Sequence, residues 1–199
     1  MSSSLYRQAT FVLGAVQLAQ LPPDMGWEVA FAGRSNAGKS SALNVITDQK
    51  VLARVSKSPG RTREINIFRL DEQRRLIDLP GYGYAKVPEE VRLRWQAFLE
   101  DYIQQRECLR GLIILMDIRH PLTDYDKQLL EWCVHFNMAA HILLTKADKL
   151  SRAGQLKTLR EVTQELPKLG PSFSVQTFSS LNKSGLDAAR AKLNEWFEV

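Results

Sequence analysis

The run Gly33-Arg34-Ser35-Asn36-Ala37-Gly38-Lys39-Ser40 constrains this chain more than any other stretch. It follows the apolar segment Val29–Ala32 and precedes Lys39 to about Ile46, which reads as a helix. A phosphate-binding loop needs that order of strand, glycine-rich loop and helix. The glycines let the backbone curl until several N–H groups face one anion, and the helix N-terminus adds partial positive charge. Lys39 supplies a full cation for the β- and γ-phosphates of a nucleotide. Ser40 offers a hydroxyl oxygen to Mg²⁺, a hard cation that prefers oxygen ligands.

The rest of the chain repeats the same alternation. Ile65–Leu70 and Arg75–Leu79 read as strands joined by a short polar turn, which implies an antiparallel pair. A helix is expected from Pro88 and Glu89 to about Arg106, a strand over Gly111–Met116 and a helix over Asp124–Phe136. Then come a strand (Ala139–Leu144), a helix (Ala153–Leu166), a strand (Phe173–Phe178) and a helix (Gly185–Phe197). Strands alternating with helices predict an α/β fold of three layers: a mostly parallel mixed sheet with helices on both faces. Residues 1–28 are the least readable. Phe11–Val16 suits an edge strand, and Pro22 and Pro23 end any regular element there.

Two further motifs sit at strand ends. In Asp78-Leu79-Pro80-Gly81 the aspartate suits the hydration shell of Mg²⁺, and the Gly81 N–H suits a γ-phosphate. In Thr145-Lys146-Ala147-Asp148 the carboxylate can accept hydrogen bonds from guanine N1–H and N2–H₂, a pair that adenine does not offer. A site built on such groups rejects a ligand that leaves them unpaired, so guanine is the expected base. The Lys146 stem packs along the base. Thr145 stands where this motif more usually carries asparagine, an exchange expected to weaken loop bracing but not base choice. Phe178-Ser179-Ser180 ends the next strand, where backbone N–H groups are expected to meet guanine O6. Thr62, between the first two motifs, is a candidate Mg²⁺ ligand that a γ-phosphate would hold in place.

Composition supplies the compartment and a hint of a partner. The 199 residues suit one domain with a sizeable core. Cys108 and Cys133 form no metal or disulfide pattern, and the expectation is two inert thiols. Met1–Thr10 lacks the pattern of a signal peptide, and apolar runs such as Leu112–Met116 are too short to cross a bilayer. A soluble, cytoplasmic protein without a membrane partner is expected. The formal net charge is +5. Residues 50–75 hold eight basic side chains and three acidic ones, so the surplus lies in the stretch around Thr62. Arg54, Lys57, Arg63, Arg74 and Arg75 are expected to meet RNA phosphates there.

The five elements occur in the order of the translation-factor-related P-loop GTPases. More narrowly, GRSNAGKSSALN (33–44), SPGRT (58–62), DLPGYGYA (78–85), MDIRHPL (116–122) and TKADK (145–149) resemble the EngB family of bacterial GTPases. The resemblance spans nearly the whole chain. It implies a G domain over residues 25–199, with residues 1–24 as an N-terminal extension packed on it. It implies GTP or GDP with Mg²⁺ as ligands, and Gly60, Arg61, Thr62, Arg63 and Glu64 as part of the nucleotide site. Ser40 and Thr62 would be the metal ligands. It further implies a monomer acting as a switch on the precursor of the large ribosomal subunit, its rRNA and ribosomal proteins. Cell division and septation would depend on it.

Lys39, Thr62, Gly81 and Asn36 are the expected catalytic residues. Where many GTPases place a water-orienting glutamine after this glycine, the chain has Tyr82, so hydrolysis should be slow without a partner or ion. Tyr82 and Tyr84 either face solvent as a stacking surface or fold back into the core. In related GTPases an asparagine at the place of Asn36 binds K⁺, which would neutralise transition-state charge. The other reading is that Asn36 only braces the loop. Two rival functions stay open: a P-loop phosphotransferase, and a non-catalytic guanine-nucleotide-dependent scaffold at the division site.

Overall fold

The parallel strands of the chain all end at one edge. A computed structural model describes residues 3–53, 64–82, 89–170 and 172–199. Its strands are β1 (Thr10–Ala15), β2 (Trp27–Gly33), β3 (Ile65–Arg69), β4 (Arg74–Asp78), β5 (Leu109–Asp117), β6 (Ala140–Thr145) and β7 (Phe173–Thr177). Its helices are α1 (Ser3–Arg7), α2 (Lys39–Ile46), α3 (Glu89–Gln105), α4 (Asp124–His135), α5 (Arg152–Leu169) and α6 (Leu186–Phe197). The strands form a sheet in the order β1-β3-β4-β2-β5-β6-β7. β2 pairs in parallel with β4 and β5, and β6 and β7 continue in parallel. The β3–β4 hairpin and the edge strand β1 are antiparallel.

Period-two patterning assigns each strand residue to a layer. Val29 and Phe31 of β2 pack with Leu43 and Ile46 of α2 and Leu193 and Phe197 of α6. Ala30 and Ala32 pack in the opposite layer, with Tyr102 of α3, Leu130 of α4 and Val162 of α5. β5 does the same, with Ile113 and Leu115 on one face and Leu112, Ile114 and Met116 on the other. Both faces are buried, which is why these strands read as continuous apolar runs. Local chemistry sets the helix ends. Thr123 and Asp126 form a capping box at the start of α4, and Asn137 in the left-handed region (φ 53°) follows its end.

The elements read from the sequence are present, with boundaries differing by a few residues. The structure adds short 3-10 helices (Leu18–Gln20 and Ala147–Lys149) and α1, whose Tyr6 is fully buried and donates its hydroxyl to Asn194 Oδ1 at 2.6 Å. Among the described residues no helix is long and apolar enough to cross a membrane. Cys108 and Cys133 are free and buried.

At the amino end of β2 the fully buried Glu28 gathers four donors. Arg75 Nε lies 2.8 Å from Oε1, Arg106 contacts both oxygens at 2.7 and 2.9 Å, and the Tyr102 hydroxyl lies 3.1 Å from Oε2. One carboxylate thereby ties β2 to β4 and to the last turn of α3. Arg75 also donates to the Met25 carbonyl, and Arg74 donates to the Phe197 carbonyl and pairs with Asp71. This corrects the expectation for these two arginines: both are engaged inside the fold and are not free to meet RNA. Arg54, Lys57 and Arg63 lie outside the described residues.

Burial alone would raise the Glu28 pKa, but the hydrogen bonds and charge of Arg106, with Arg75, outweigh it and hold the carboxyl below its ordinary value. A depressed carboxylate contributes stability above its unfolded pKa and loses it as the pH falls through the folded one. Glu28→Gln should cost about 3–5 kcal/mol at pH 7, because two buried guanidiniums lose their counterion. That difference from the parent should begin to shrink below about pH 4, where the unfolded chain's Glu28 takes up a proton that the folded carboxylate resists. Urea midpoints of both proteins at pH 7 and pH 3.5 check this; a gap independent of pH contradicts it.

Candidate nucleotide site

β2 is the strand at which the chain changes direction across the sheet, with β4 on one side and β5 on the other. In open α/β sheets the crevice at the carboxyl ends of such strands is where ligands bind. The loop Gly33–Ser40 leaves β2 there. Asn36 and Gly38 take left-handed conformations (φ 64° and 92°), and Gly38 caps α2. The turn is closed by Ala37 N–H donating to the Arg34 carbonyl at 2.9 Å. Among the described residues the N–H groups of Asn36, Gly38, Lys39 and Ser40 have no acceptor. The result is a cradle of donors at the start of a helix, which fits an anion.

The neighbouring strands hold this loop on both sides. On the β4 side, Ser35 N–H donates to the Tyr82 carbonyl at 2.9 Å, and Tyr82 N–H donates to the Gly33 carbonyl at 3.3 Å. Gly81 lies against Ser35, where an added Cβ would come 3.4 Å from the Ser35 nitrogen, and its own N–H has no acceptor among the described residues. Leu79 and Pro80 are buried beneath it. Lys39 Nζ forms an ion pair with Asp78, both side chains largely shielded from water. On the β6 side, the Thr145 hydroxyl lies 2.5 Å from the Ala37 carbonyl and 3.1 Å from the Met116 carbonyl. Thr145 therefore does brace the loop, which corrects the expectation of weakened bracing. A hydroxyl at this depth reaches the carbonyl without the longer amide.

The next strand ends assemble the base side. Ala147 is fully buried, with its N–H donating to the Phe178 carbonyl at 3.1 Å. Asp148 accepts a hydrogen bond from the Ser179 hydroxyl at 2.5 Å, and that bond leads in holding its carboxyl below the ordinary value. Ser179 is itself fixed, because its hydroxyl oxygen accepts from Leu181 N–H at 3.2 Å. The backbone N–H groups of Phe178 and Ser179 are occupied by the Leu144 and Ser184 carbonyls at 2.8 and 3.0 Å. The expected N–H contact from this trio thus narrows to Ser180. The hydroxyl of Ser179 has a bracing role that the residue pattern did not reveal.

Other candidates are placed more plainly. Tyr82 folds back: it is buried, its ring lies 5.7 Å from that of Trp95, and its hydroxyl donates to Asp126 Oδ1 at 2.8 Å. Burial first, and then Asp126, push its phenol well above its ordinary pKa. Asn36 is exposed, and its side chain makes no hydrogen bond among the described residues, so the bracing reading finds no partner there. Glu64 is exposed at the start of β3 beside Gly14. Gly60, Arg61, Thr62, Arg63 and Tyr84 lie outside the described residues. His141 is packed between Ser174 Oγ at 2.7 Å and Gln176 Oε1 at 2.9 Å.

Asp117, at the end of β5, was not among the expected site residues. Its carboxylate lies 2.9 Å from Lys146 Nζ, and Arg119 grips it through both oxygens at 2.9 and 2.7 Å. A cavity of about 140 Å³ separates the Arg34–Ala37 turn from Asp117, His120, Asp126 and Lys146. The available signal was positional: like Asp78, Asp117 is an acidic residue closing an apolar strand.

The family described as 50S ribosome-binding GTPase matches residues 28–146. The chain is 52% identical to the probable GTP-binding protein EngB of Coxiella burnetii, over 98% of this chain and 96% of that protein. It is 53% identical to the probable GTP-binding protein EngB of Escherichia coli, over 99% of this chain and 94% of that one. The crystal structure of a probable GTP-binding protein engB shares the fold, with TM-score 0.68 at 20% identity, covering 86% of this chain and 98% of that one. So does Era in complex with MgGDPNP and nucleotides of 16S ribosomal RNA, with TM-score 0.66 at 19% identity over 86% of this chain and 57% of that one. A phosphate-type loop held between β4 and β6, an aspartate in the guanine-type motif at the next strand end, and identity above one half along nearly the whole chain agree: this chain belongs to the EngB family of GTP-binding proteins and carries its ribosome-binding GTPase domain.

Proposed function

We propose that the chain is a slow GTPase acting as a nucleotide-dependent switch in assembly of the large ribosomal subunit. The observation that carries this reading is the brace from Thr145 to Ala37, which joins a donor-lined anion cradle to the strand end that leads into Asp148. The Asn36–Ser40 backbone and Lys39 would hold the β- and γ-phosphates, with Arg34, Ser35 and Ala37 shaping the turn. Asp148 would read guanine, with Lys146 along the base and Ser180 N–H toward O6. The Ser40 hydroxyl and the Asp78 carboxylate are hard oxygen donors flanking Lys39, a set that fits Mg²⁺. Thr62, within the Gly60–Glu64 segment, would be the second hydroxyl of that set. Bound there, Mg²⁺ supplies charge neutralisation at the phosphate oxygens.

Several features support a slow reaction that awaits a stimulus. The Tyr82 hydroxyl is committed to Asp126, so this side chain does not orient water as a glutamine would. Turnover on the order of 10⁻⁴ to 10⁻² s⁻¹ is expected for the protein alone. The exposed amide of Asn36, without a hydrogen-bond partner among the described residues, suits K⁺ beside the phosphates, where the ion would offset charge growing in the transition state. Gly81 and Thr62, tied to the γ-phosphate, would order their segments with GTP and release them after hydrolysis.

The partner reading rests on the family's description as ribosome-binding and on the basic surplus of residues 50–75. Arg54, Lys57 and Arg63 are its candidate RNA contacts. We read residues 1–24 as an extension packed on a G domain of residues 25–199. The protein would work as a monomer in the cytoplasm, and its role in division and septation would come through this same switch.

Three outcomes test these assignments. Lys39→Ala should abolish tight GTP and GDP binding by titration calorimetry; an unchanged affinity overturns the site. GTP hydrolysis should be faster in KCl than in NaCl, and Asn36→Ala should erase the difference; equal rates in the parent remove K⁺ from the reading. In sedimentation with large ribosomal subunits, a non-hydrolysable GTP analogue should retain the protein better than GDP. Association indifferent to nucleotide contradicts a switch.

A further inference from the structure

Lys146 has an unusual setting for a flexible, strongly hydrated cation. Its backbone is in the left-handed region (φ 58°), and about a third of its side chain is exposed. Such a side chain gives up much rotamer freedom when a ligand fixes it. Here Asp117 meets its ammonium at 2.9 Å. Asp117 is in turn held rigidly. Its Oδ1 accepts from the backbone N–H of Arg119 at 3.0 Å, and its own carbonyl accepts from His120 N–H at 2.9 Å. The Arg119 guanidinium closes the other side with two bonds. The sheet register sets Asp117 beside Thr145, and Ile118 N–H donates to the Thr145 carbonyl at 3.0 Å, so the acid and the lysine share one frame.

We infer that Asp117 is a positioning residue for guanine-nucleotide binding: it holds the Lys146 side chain in place before the base arrives, with Arg119 locking the carboxylate. The inference rests on reading Lys146 as the base-site lysine. Arg119, and then Lys146, hold the Asp117 carboxyl well below the ordinary carboxylate range, so the clamp is charged throughout the working pH range. Preorganisation of this kind acts on affinity and not on the chemical step.

Asp117→Asn removes the charge but keeps an oxygen able to accept from Arg119 N–H. GDP affinity, measured by titration calorimetry for Asp117→Asn, Lys146→Ala and the double variant, closes a mutant cycle. Asp117→Asn should weaken GDP about fivefold, the effect of one partly exposed ion pair. Added to Lys146→Ala, it should weaken binding by less than about twofold, since nothing remains to position. Asp117→Glu, which keeps the charge, should stay within about twofold of the parent, and kcat should be little changed in both single Asp117 variants. An equal loss in both backgrounds would mean that Asp117 acts through loop shape, and it overturns the inference. So does an Asp117→Asn protein with parental affinity, or an Asp117→Glu protein that binds as weakly as Asp117→Asn. If Lys146→Ala binds GDP like the parent, the base-site reading fails first and the inference fails with it.

Discussion

Parallel pairing of β2 with β4 on one side and β5 on the other is the constraint on which the rest depends. A parallel strand cannot be joined to its neighbour by a tight turn, so the chain must cross back over a face of the sheet each time. The crossovers bring α2 and α6 to one face and α3, α4 and α5 to the other. They also leave all the parallel strands ending at the same edge. Gly33, Asp78, Asp117 and Thr145 are the last residues of four of these strands. Their backbones are fixed by the ladder while the residues that follow are free of it. The opposite edge serves stability instead. There Glu28 draws Arg75, Arg106 and Tyr102 into one buried cluster and anchors the end of α3.

At the carboxyl edge, groups suited to a nucleotide are held by residues of other strands. Thr145 braces the Ala37 carbonyl, Tyr82 exchanges backbone bonds with Gly33 and Ser35, Ser179 holds Asp148, and Asp117 holds Lys146. Each brace satisfies a polar group that would be costly to leave unpaired near the core. Each also fixes one geometry before a ligand arrives, so less ordering remains to oppose binding. Tyr82 shows the same economy from the other side. Burying its ring on Trp95 and its hydroxyl on Asp126 ties Tyr82 itself, just after Gly81, to the first turn of α4. That packing commits its hydroxyl to Asp126 and leaves it unable to orient water.

Much of this was legible in the residues, and the parts that were not share a cause. The strand–loop–helix order around Gly38 could be read because its demands are local: a positive φ, free N–H groups and a helix start. The alternation of apolar runs with amphipathic segments could be read for the same reason, and so the sheet, its hairpin and its helices came out in order. The hydroxyls of Thr145 and Ser179 and the carboxylate of Asp117 could not be read. Their partners lie 108, 31 and 29 positions away in the chain. Arg75 was misread as free basic surface because charge is visible in a sequence while a counterion 47 residues away is not, and Arg74 because its Phe197 carbonyl acceptor lies 123 residues away.

The sequence by itself determined the class of fold, the phosphate-binding loop, the guanine-type motif and the family, since each rests on residue types at short fixed spacings. Only the tertiary structure decided which of those residues stand braced and which cations are committed inside. It also decided that Tyr82 turns into the core and that Asp117 stands beside Lys146. The physical reason is that those outcomes depend on which strand ends lie side by side, and strand order is a property of the whole packed sheet.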